Sequence, residues 1–258
     1  MVEIVHGDTA NTPMGMGTYG SRSIAVGGSA MVRATEKIIN KAKKIAAHLL
    51  EASEGDIELK DGAFSVAGTD KSVAWGDVTL AAYVPHNYPL EDIEPGLEET
   101  AFYDPNNFTY PSGAYACEVE VDPETGKVTI ESFAAADDFG NIVNPMIVSG
   151  QVHGGIAQGI GQALLEGCVY DEDGQLLTGS YMDYAMPRAD DLCPIATGSN
   201  PVPTALNPLG AKGAGEAGTC GAPAAVMNAI NDALKPLGAR VTSQPITPTV
   251  ILQALGTV

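Results

Sequence analysis

The 258-residue sequence predicts an α+β fold of two lobes, in which β-hairpins pack against amphipathic helices. Two segments alternate apolar and polar residues around turn sequences. Several others repeat their apolar residues at helical spacing. Two long irregular stretches rich in proline, glycine and acidic residues separate them. The first stretch suggests a division into residues 1–95, with a glycine-rich loop and one amphipathic helix, and residues 96–258.

Taken in order, Val2 to Asp8 (VEIVHGD) reads as a strand, with Met1 at its start. TANTPMGMGTYGSRS is too rich in Gly, Pro, Thr and Ser for either regular structure and is expected to be a loop. From about Gly28 to Ala52, Ile38, Ala42, Ile45, Ala46 and Leu49 fall on one face with lysines between them, the pattern of an amphipathic helix. IELKDGAFSV alternates about Asp61-Gly62, a dipeptide suited to a type I′ hairpin. Residues 85–111 have no periodicity. A second, longer hairpin is expected over YACEVEVDPETGKVTIESFAAADD, turning between Asp122 and Lys127.

Pro145 is expected to end the segment after that hairpin. A helix then starts near Gly150, with Ile156, Ile160, Ala163 and Leu164 on its apolar face. Gly154, Gly155, Gly159 and Gly161 are costly in a helix, about 1 kcal/mol each against Ala. They imply close backbone approach to a ligand, or tight packing against another element. Helices are also expected near Ala222 to Leu234 and after Thr247-Pro248, a residue pair suited to N-cap and first helical position.

The net charge of −19 argues against a nucleic-acid backbone as partner, since clustered Lys and Arg are missing. No run of about 18 apolar residues suggests a membrane span, and no export signal is read at the N-terminus, so the cytoplasm is the expected location. Cys117, Cys168, Cys193 and Cys220 are dispersed without metal-ligand spacing, which points away from iron–sulfur or zinc centres in this chain. Cys117, flanked by apolar residues, reads as a buried small hydrophobe.

Three glycine-rich segments could carry chemistry. The first, Gly15 to Ser23, offers backbone amides, hydroxyls and Arg22 ahead of a helix, the parts of an anion cradle or of a ligand-free turn. The second, Gly150 to Gly155, places Gln151 at the expected first helical turn, where its amide could face a heterocycle. His153 there is ambiguous, a satisfied structural residue before a metal ligand or base. The third, Lys212 to Gly218, has GxGxxG spacing, but PTALNPLG rather than a strand precedes it, so it is not a dinucleotide fingerprint. Within it Glu216 stands alone among small residues. It could act as a general base with a raised pKa if buried, or as a loop carboxylate capping the next helix.

In their order, HGDTANTPMGMGTYGSRS, NPMIVSGQVHGGIAQGIGQAL, TGSYMDYAMPRADD and LGAKGAGEAG resemble the C-terminal region of molybdenum hydroxylase large subunits, the family of carbon monoxide dehydrogenases and aldehyde or xanthine oxidoreductases. The resemblance covers nearly the whole chain. It implies a molybdenum-bearing molybdopterin, in bacteria usually the cytosine dinucleotide form. By the same resemblance, Gly20, Ser21, Arg22 and Ser23 would meet the dinucleotide end and pyrophosphate. Gln151, Gly154 and Gly155 would meet the pterin, and Lys212, Gly213 and Gly215 would lie beside the metal, with no metal ligand from the protein. The family's catalytic glutamate falls on Glu216.

The activity so implied is oxidation of a small substrate, carbon monoxide, an aldehyde or an N-heterocycle, with water as oxygen source. Carbon monoxide enzymes of the family also hold copper, and GMGTYGSRS leans toward that branch. A complete large subunit is much longer than this chain. The resemblance therefore implies a C-terminal fragment whose partners are the N-terminal half and subunits carrying iron–sulfur clusters and FAD. The alternative is a non-enzymatic scaffold or binding module that keeps the fold without the cofactor.

Overall fold

Asp61 and Gly62 both adopt positive φ, +51° and +79°, as a type I′ turn requires. They join β1 (Ile57–Lys60) to β2 (Ala63–Val66) in the expected hairpin, and β3 (Ser72–Ala74) extends the sheet antiparallel to β2. The computed structural model describes residues 2–258; Met1, expected on the first strand, lies outside them. A π-helical turn, Ile24–Gly28, leads into α1 (Ser29–Leu50), which buries Ala42, Ile45 and Ala46 with Ile38 and Leu49 half-buried. Against these pack Ile57, Phe64 and the Val78 and Ala82 of α2 (Trp75–Tyr83). The Phe64 and Trp75 rings stack with centroids 5.2 Å apart.

These elements belong to one unit, Val26–Pro105; Asn106–Val258, joined by the segment up to Ala25, makes the other. The expected boundary near residue 95 put the first glycine loop with the helix that follows it. In the structure the loop belongs to the other unit, because Ser21 bonds to Glu216 and Arg22 lies over Phe108.

That larger unit is built on the long hairpin of β4 (Ser112–Val121) and β5 (Val128–Asp138), with a register shift between Glu118 and Val119. β6 (Ile195–Ser199) pairs parallel to β5, Phe133 opposite Ile195. Three helices pack with this sheet: α3 (Pro145–Leu164), α4 (Ala222–Leu234) and α5 (Pro248–Leu255). Their core joins Phe133, Ile156, Ile160, Val226, Ile230, Leu234 and Ile251. Cys117 is packed at its margin, and burial first, then the nearby Cys193, pushes its thiol up to about 11, as suits a small hydrophobe.

Two expectations need correction. Val2 to Gly7 forms no strand, and Val2, Ile4 and Val5 are 79%, 57% and 58% exposed. An apolar run becomes a strand only beside a free sheet edge, and none pairs with it among the described residues. Second, α3 begins at Pro145 rather than near Gly150. Proline lacks an N–H that a first-turn residue does not need, and Asn144 caps the helix by accepting the Ile147 N–H at 3.2 Å. GQVHGG is therefore helix interior. Among the described residues no helix is long and apolar enough to cross a membrane.

Candidate functional site

Gly20 and Ser21 both lie in the left-handed region, φ +58° and +54°. For glycine this is free, whereas for serine it is strained and persists only where surrounding contacts enforce it. Two hydrogen bonds do so. Ser21 Oγ donates to Glu216 Oε2 at 2.5 Å and accepts the Glu216 backbone N–H at 2.9 Å. Gly213 completes the contact, because a Cβ there would overlap the Ser21 carbonyl oxygen. The first and third glycine segments thus meet, although 195 residues separate their closest partners.

The third segment also rests on α3. A Cβ at Gly155 would overlap the Ala217 carbonyl oxygen, and Thr219 Oγ1 donates to the Gly155 carbonyl at 3.1 Å. Gly159 and Gly161 are filled in the same sense, by Ala222 and Pro223 and by Glu166 and Pro187. Packing therefore explains three of the five glycines of α3. It leaves Gly154 unexplained: a Cβ at Gly154, or at Gly150 one turn earlier, would meet nothing within 4 Å. These two glycines and Gln151 form an exposed stretch of nearly bare backbone, with Gln151 in the second turn of the helix rather than the first.

Glu216 itself is exposed, so the burial that the base expectation was conditioned on is not met within this chain. Nor does its side chain cap α4, whose N-cap is Gly221 without a side-chain bond. Arg22 is half-buried, its guanidinium 5.3 Å from the Tyr19 ring centroid and 5.5 Å from that of Phe108. Ser23 is exposed and its hydroxyl donates to Thr18 Oγ1 at 3.1 Å. Gly215 is exposed, in ordinary contact with Ser21 Oγ. His153 takes the structural role expected of it, with Nδ1 2.8 Å from the Ser149 carbonyl one turn back.

Lys212 is not available as a ligand cation, since its ammonium is paired with Asp138 Oδ2 at 2.5 Å. Asp138 Oδ1 accepts from the Gly140 and Val202 N–H groups at 2.9 and 2.8 Å. Burial would raise this carboxyl, but the Lys212 hydrogen bond, the two backbone donors and the Lys212 charge outweigh it and hold it below its ordinary value. A depressed native pKa contributes stability that is complete above the ordinary carboxylate range, about pH 4, and is lost as pH falls through the native value. Asp138→Asn should therefore cost about 2 kcal/mol at pH 7 and flatten the acid limb of the stability curve, as denaturant titrations at several pH values would measure. An unchanged acid limb would show that this pair does not link folding to pH.

Sequence reasoning overlooked Tyr115 and Asp137. The Tyr115 hydroxyl donates to Asp137 Oδ1 at 2.7 Å and accepts the Gly218 N–H at 2.8 Å, directly beneath the Glu216 turn. The signal was present in FAAADD, where an apolar strand ends in two carboxylates, the first of which, Asp137, continues the buried face of Phe133 and Ala135.

Three glycine-rich segments held together on an α+β scaffold by the Ser21–Glu216 and Thr219–Gly155 contacts, with a guanidinium on the first of them, suit a cofactor-binding domain. The chain belongs to the molybdopterin cofactor-binding domain family, which matches residues 1–193. It is 39% identical over 256 residues to the carbon monoxide dehydrogenase large chain of Hydrogenophaga pseudoflava, covering 99% of this chain and 32% of that one. It is 40% identical to the nicotine 6-hydroxylase large subunit of Paenarthrobacter nicotinovorans, over 98% of this chain and 31% of the relative. Among solved structures, a Cu,Mo-CO dehydrogenase in its carbon monoxide reduced state superposes with a TM-score of 0.88 at 39% identity, over 96% of this chain and 31% of that chain. The chain thus spans about a third of the length of these relatives. Equal likeness to a carbon monoxide enzyme and a nicotine hydroxylase gives the lean toward the former branch no support.

Proposed function

We propose that this chain is the cofactor-gripping and proton-accepting part of a molybdenum hydroxylase large subunit. The observation that carries the reading is the Ser21–Glu216 contact, which joins two glycine segments beside the bare Gly150–Gly154 stretch of α3. The exposed groups suit a flat, polar, anionic ligand: an amide at Gln151, a guanidinium at Arg22, loop backbone at Gly20 and Gly215, and a helix surface free of side-chain cover at Gly154, while the Ser21 and Ser23 hydroxyl protons are committed to Glu216 and Thr18. Gly155 and Gly213 are buried in packing, so their part is to let the segments approach.

One expectation is revised. Ser21 at the dinucleotide end and Glu216 beside the metal would be at opposite ends of one cofactor, yet their side chains are 2.5 Å apart. In the revised reading Ser21 serves the metal end with Glu216, and Arg22 remains the cation for an anionic group of the cofactor. Lys212 contributes backbone only.

When bound, molybdopterin with its molybdenum supplies the two-electron redox chemistry. Glu216 accepts a proton at Oε1, Oε2 being held by Ser21. The substrate is a small molecule of the carbon monoxide, aldehyde or N-heterocycle class, with water supplying the oxygen. The N-terminal half of the large subunit closes the site, giving Glu216 the burial it lacks here. The finer reading includes a cytosine dinucleotide form of the cofactor, and iron–sulfur and FAD subunits that take the electrons. Four free cysteines suit a reducing cytoplasm.

Coexpression with an N-terminal half tests this: the complex should carry molybdenum and turn over, and the chain alone should carry little. Arg22→Ala should lower molybdenum content in that complex severalfold, by loss of a charge-assisted contact worth about 1–3 kcal/mol. A complex devoid of both metal and turnover would favour the scaffold reading, and full metal content in Arg22→Ala would remove that residue from the grip.

A further inference from the structure

Asp137 is buried at a cost the sheet does not repay. It is 4% exposed, and its Oδ2 has no hydrogen-bond partner among the described residues. Leaving a buried polar atom unpaired is unfavourable, and an apolar pair filling the same space would avoid the penalty. The surrounding sequence nevertheless makes room for this carboxylate. Gly113 stands opposite it in the β4–β5 ladder, where any Cβ would overlap Asp137 Oδ1.

Tyr115, two residues along β4, reaches diagonally across to that same oxygen. Its ring lies under Gly221, where a Cβ would come 2.5 Å from the ring edge, and its hydroxyl meets the Gly218 N–H. Gly218 has φ +81°, and a Cβ there would press within 2.6 Å of the Val152 carbonyl oxygen. Gly113 and Gly221 thus accommodate one hydrogen-bonded chain, from Asp137 through Tyr115 to the amide of Gly218, two residues past Glu216, and Gly218 itself lets the turn lie against α3.

We infer that Tyr115 and Asp137 are positioning residues for Glu216: the carboxylate orients the phenol, and the phenol anchors the far end of the turn from which Glu216 projects. Ser21 anchors the near end through the Glu216 N–H. The inference rests on reading Glu216 as the base. A phenol has one proton. With an acceptor at Asp137, that proton points into the sheet and a lone pair faces the Gly218 N–H, so the direction of the relay is set. Burial first, then the bond to Asp137, pushes the Tyr115 phenol up to about 12, so it remains the donor to Asp137 at neutral pH.

Hydrogen exchange of the purified protein and steady-state kinetics of the cofactor-loaded complex test the inference together. Tyr115→Phe should raise exchange of the 214–221 amides about tenfold or more while β4 and β5 stay within about twofold. In the loaded complex it should lower kcat about tenfold or more, with KM and molybdenum content held within about twofold. Asp137→Ala should reproduce both effects, and Asp137→Asn, which keeps an acceptor oxygen for the phenol, should rescue them relative to alanine. Unchanged protection of the turn in both Tyr115→Phe and Asp137→Ala would overturn the inference. So would exchange that rises across the whole β4–β5 sheet, which marks a merely structural role. Should Glu216→Gln leave turnover intact while the turn responds as expected, the base reading falls and the anchoring of the turn stands.

Discussion

Glu216→Gln in the cofactor-loaded complex should lower turnover by about two to four orders of magnitude, the range that general-base catalysis contributes. The substitution is informative because so little else changes. Glutamine keeps the length of the side chain, and its amide oxygen can still accept from Ser21 Oγ, which bonds Glu216 Oε2 at 2.5 Å. The backbone bond from the residue 216 N–H to Ser21 Oγ does not involve the side chain. Gly213 and Gly155 hold the segment from both sides irrespective of what residue 216 carries. Molybdenum content should therefore stay at the unsubstituted level while kcat collapses, a separation readable by metal analysis beside turnover assays. Loss of both would make Glu216 part of the grip on the cofactor, and loss of neither would remove it from the chemistry.

Ser21→Ala makes a useful comparison, because the hydroxyl makes both hydrogen bonds to Glu216 and residue 21 has a strained φ of +54°. Its loss frees the carboxylate without removing the base, so the expected effect on kcat is smaller than that of Glu216→Gln. A Ser21→Ala variant that falls as far as Glu216→Gln would assign the hydroxyl a direct role.

Much of the scaffold was legible because its determinants are local. Asp61-Gly62 specifies a turn through backbone conformations that few residues adopt, and the apolar face of α1 is written at helical spacing within a single segment. Where the reading failed, the deciding partner lay elsewhere in the chain. Val2 to Gly7 has the alternation of a strand but no edge to join among the described residues, and Pro145 reads locally as a stop although, with Asn144 before it, it serves as a start. The site divides in the same way. Its glycine segments announce themselves by composition, and family resemblance supplied their roles and the likeness of Glu216 to a catalytic base. That Ser21 meets Glu216, that Lys212 is taken up by Asp138, and that Tyr115 supports the turn are contacts between residues far apart in sequence. No periodicity encodes them.

Adjacent glycines on α3 should respond to alanine in opposite directions. At Gly155 the new methyl would overlap the Ala217 carbonyl oxygen and lie 2.9 Å from the Thr219 backbone nitrogen. Both are backbone atoms of the turn that carries Glu216, and neither can swing aside as a side chain would. Overpacking of this kind costs about 1–3 kcal/mol or more, against about 1 kcal/mol gained from helix propensity, so Gly155→Ala should be destabilising on balance and should displace the turn. At Gly154 the methyl enters open space, and the propensity gain of up to about 1 kcal/mol stands unopposed. Packing within this chain therefore gives no reason for glycine at 154. If the bare helix backbone there is where the cofactor lies, Gly154→Ala should raise the midpoint of denaturant unfolding of the chain and yet lower molybdenum content in the complex. A gain in stability with undiminished metal would leave Gly154 without a ligand role and would move the cofactor off this face of α3.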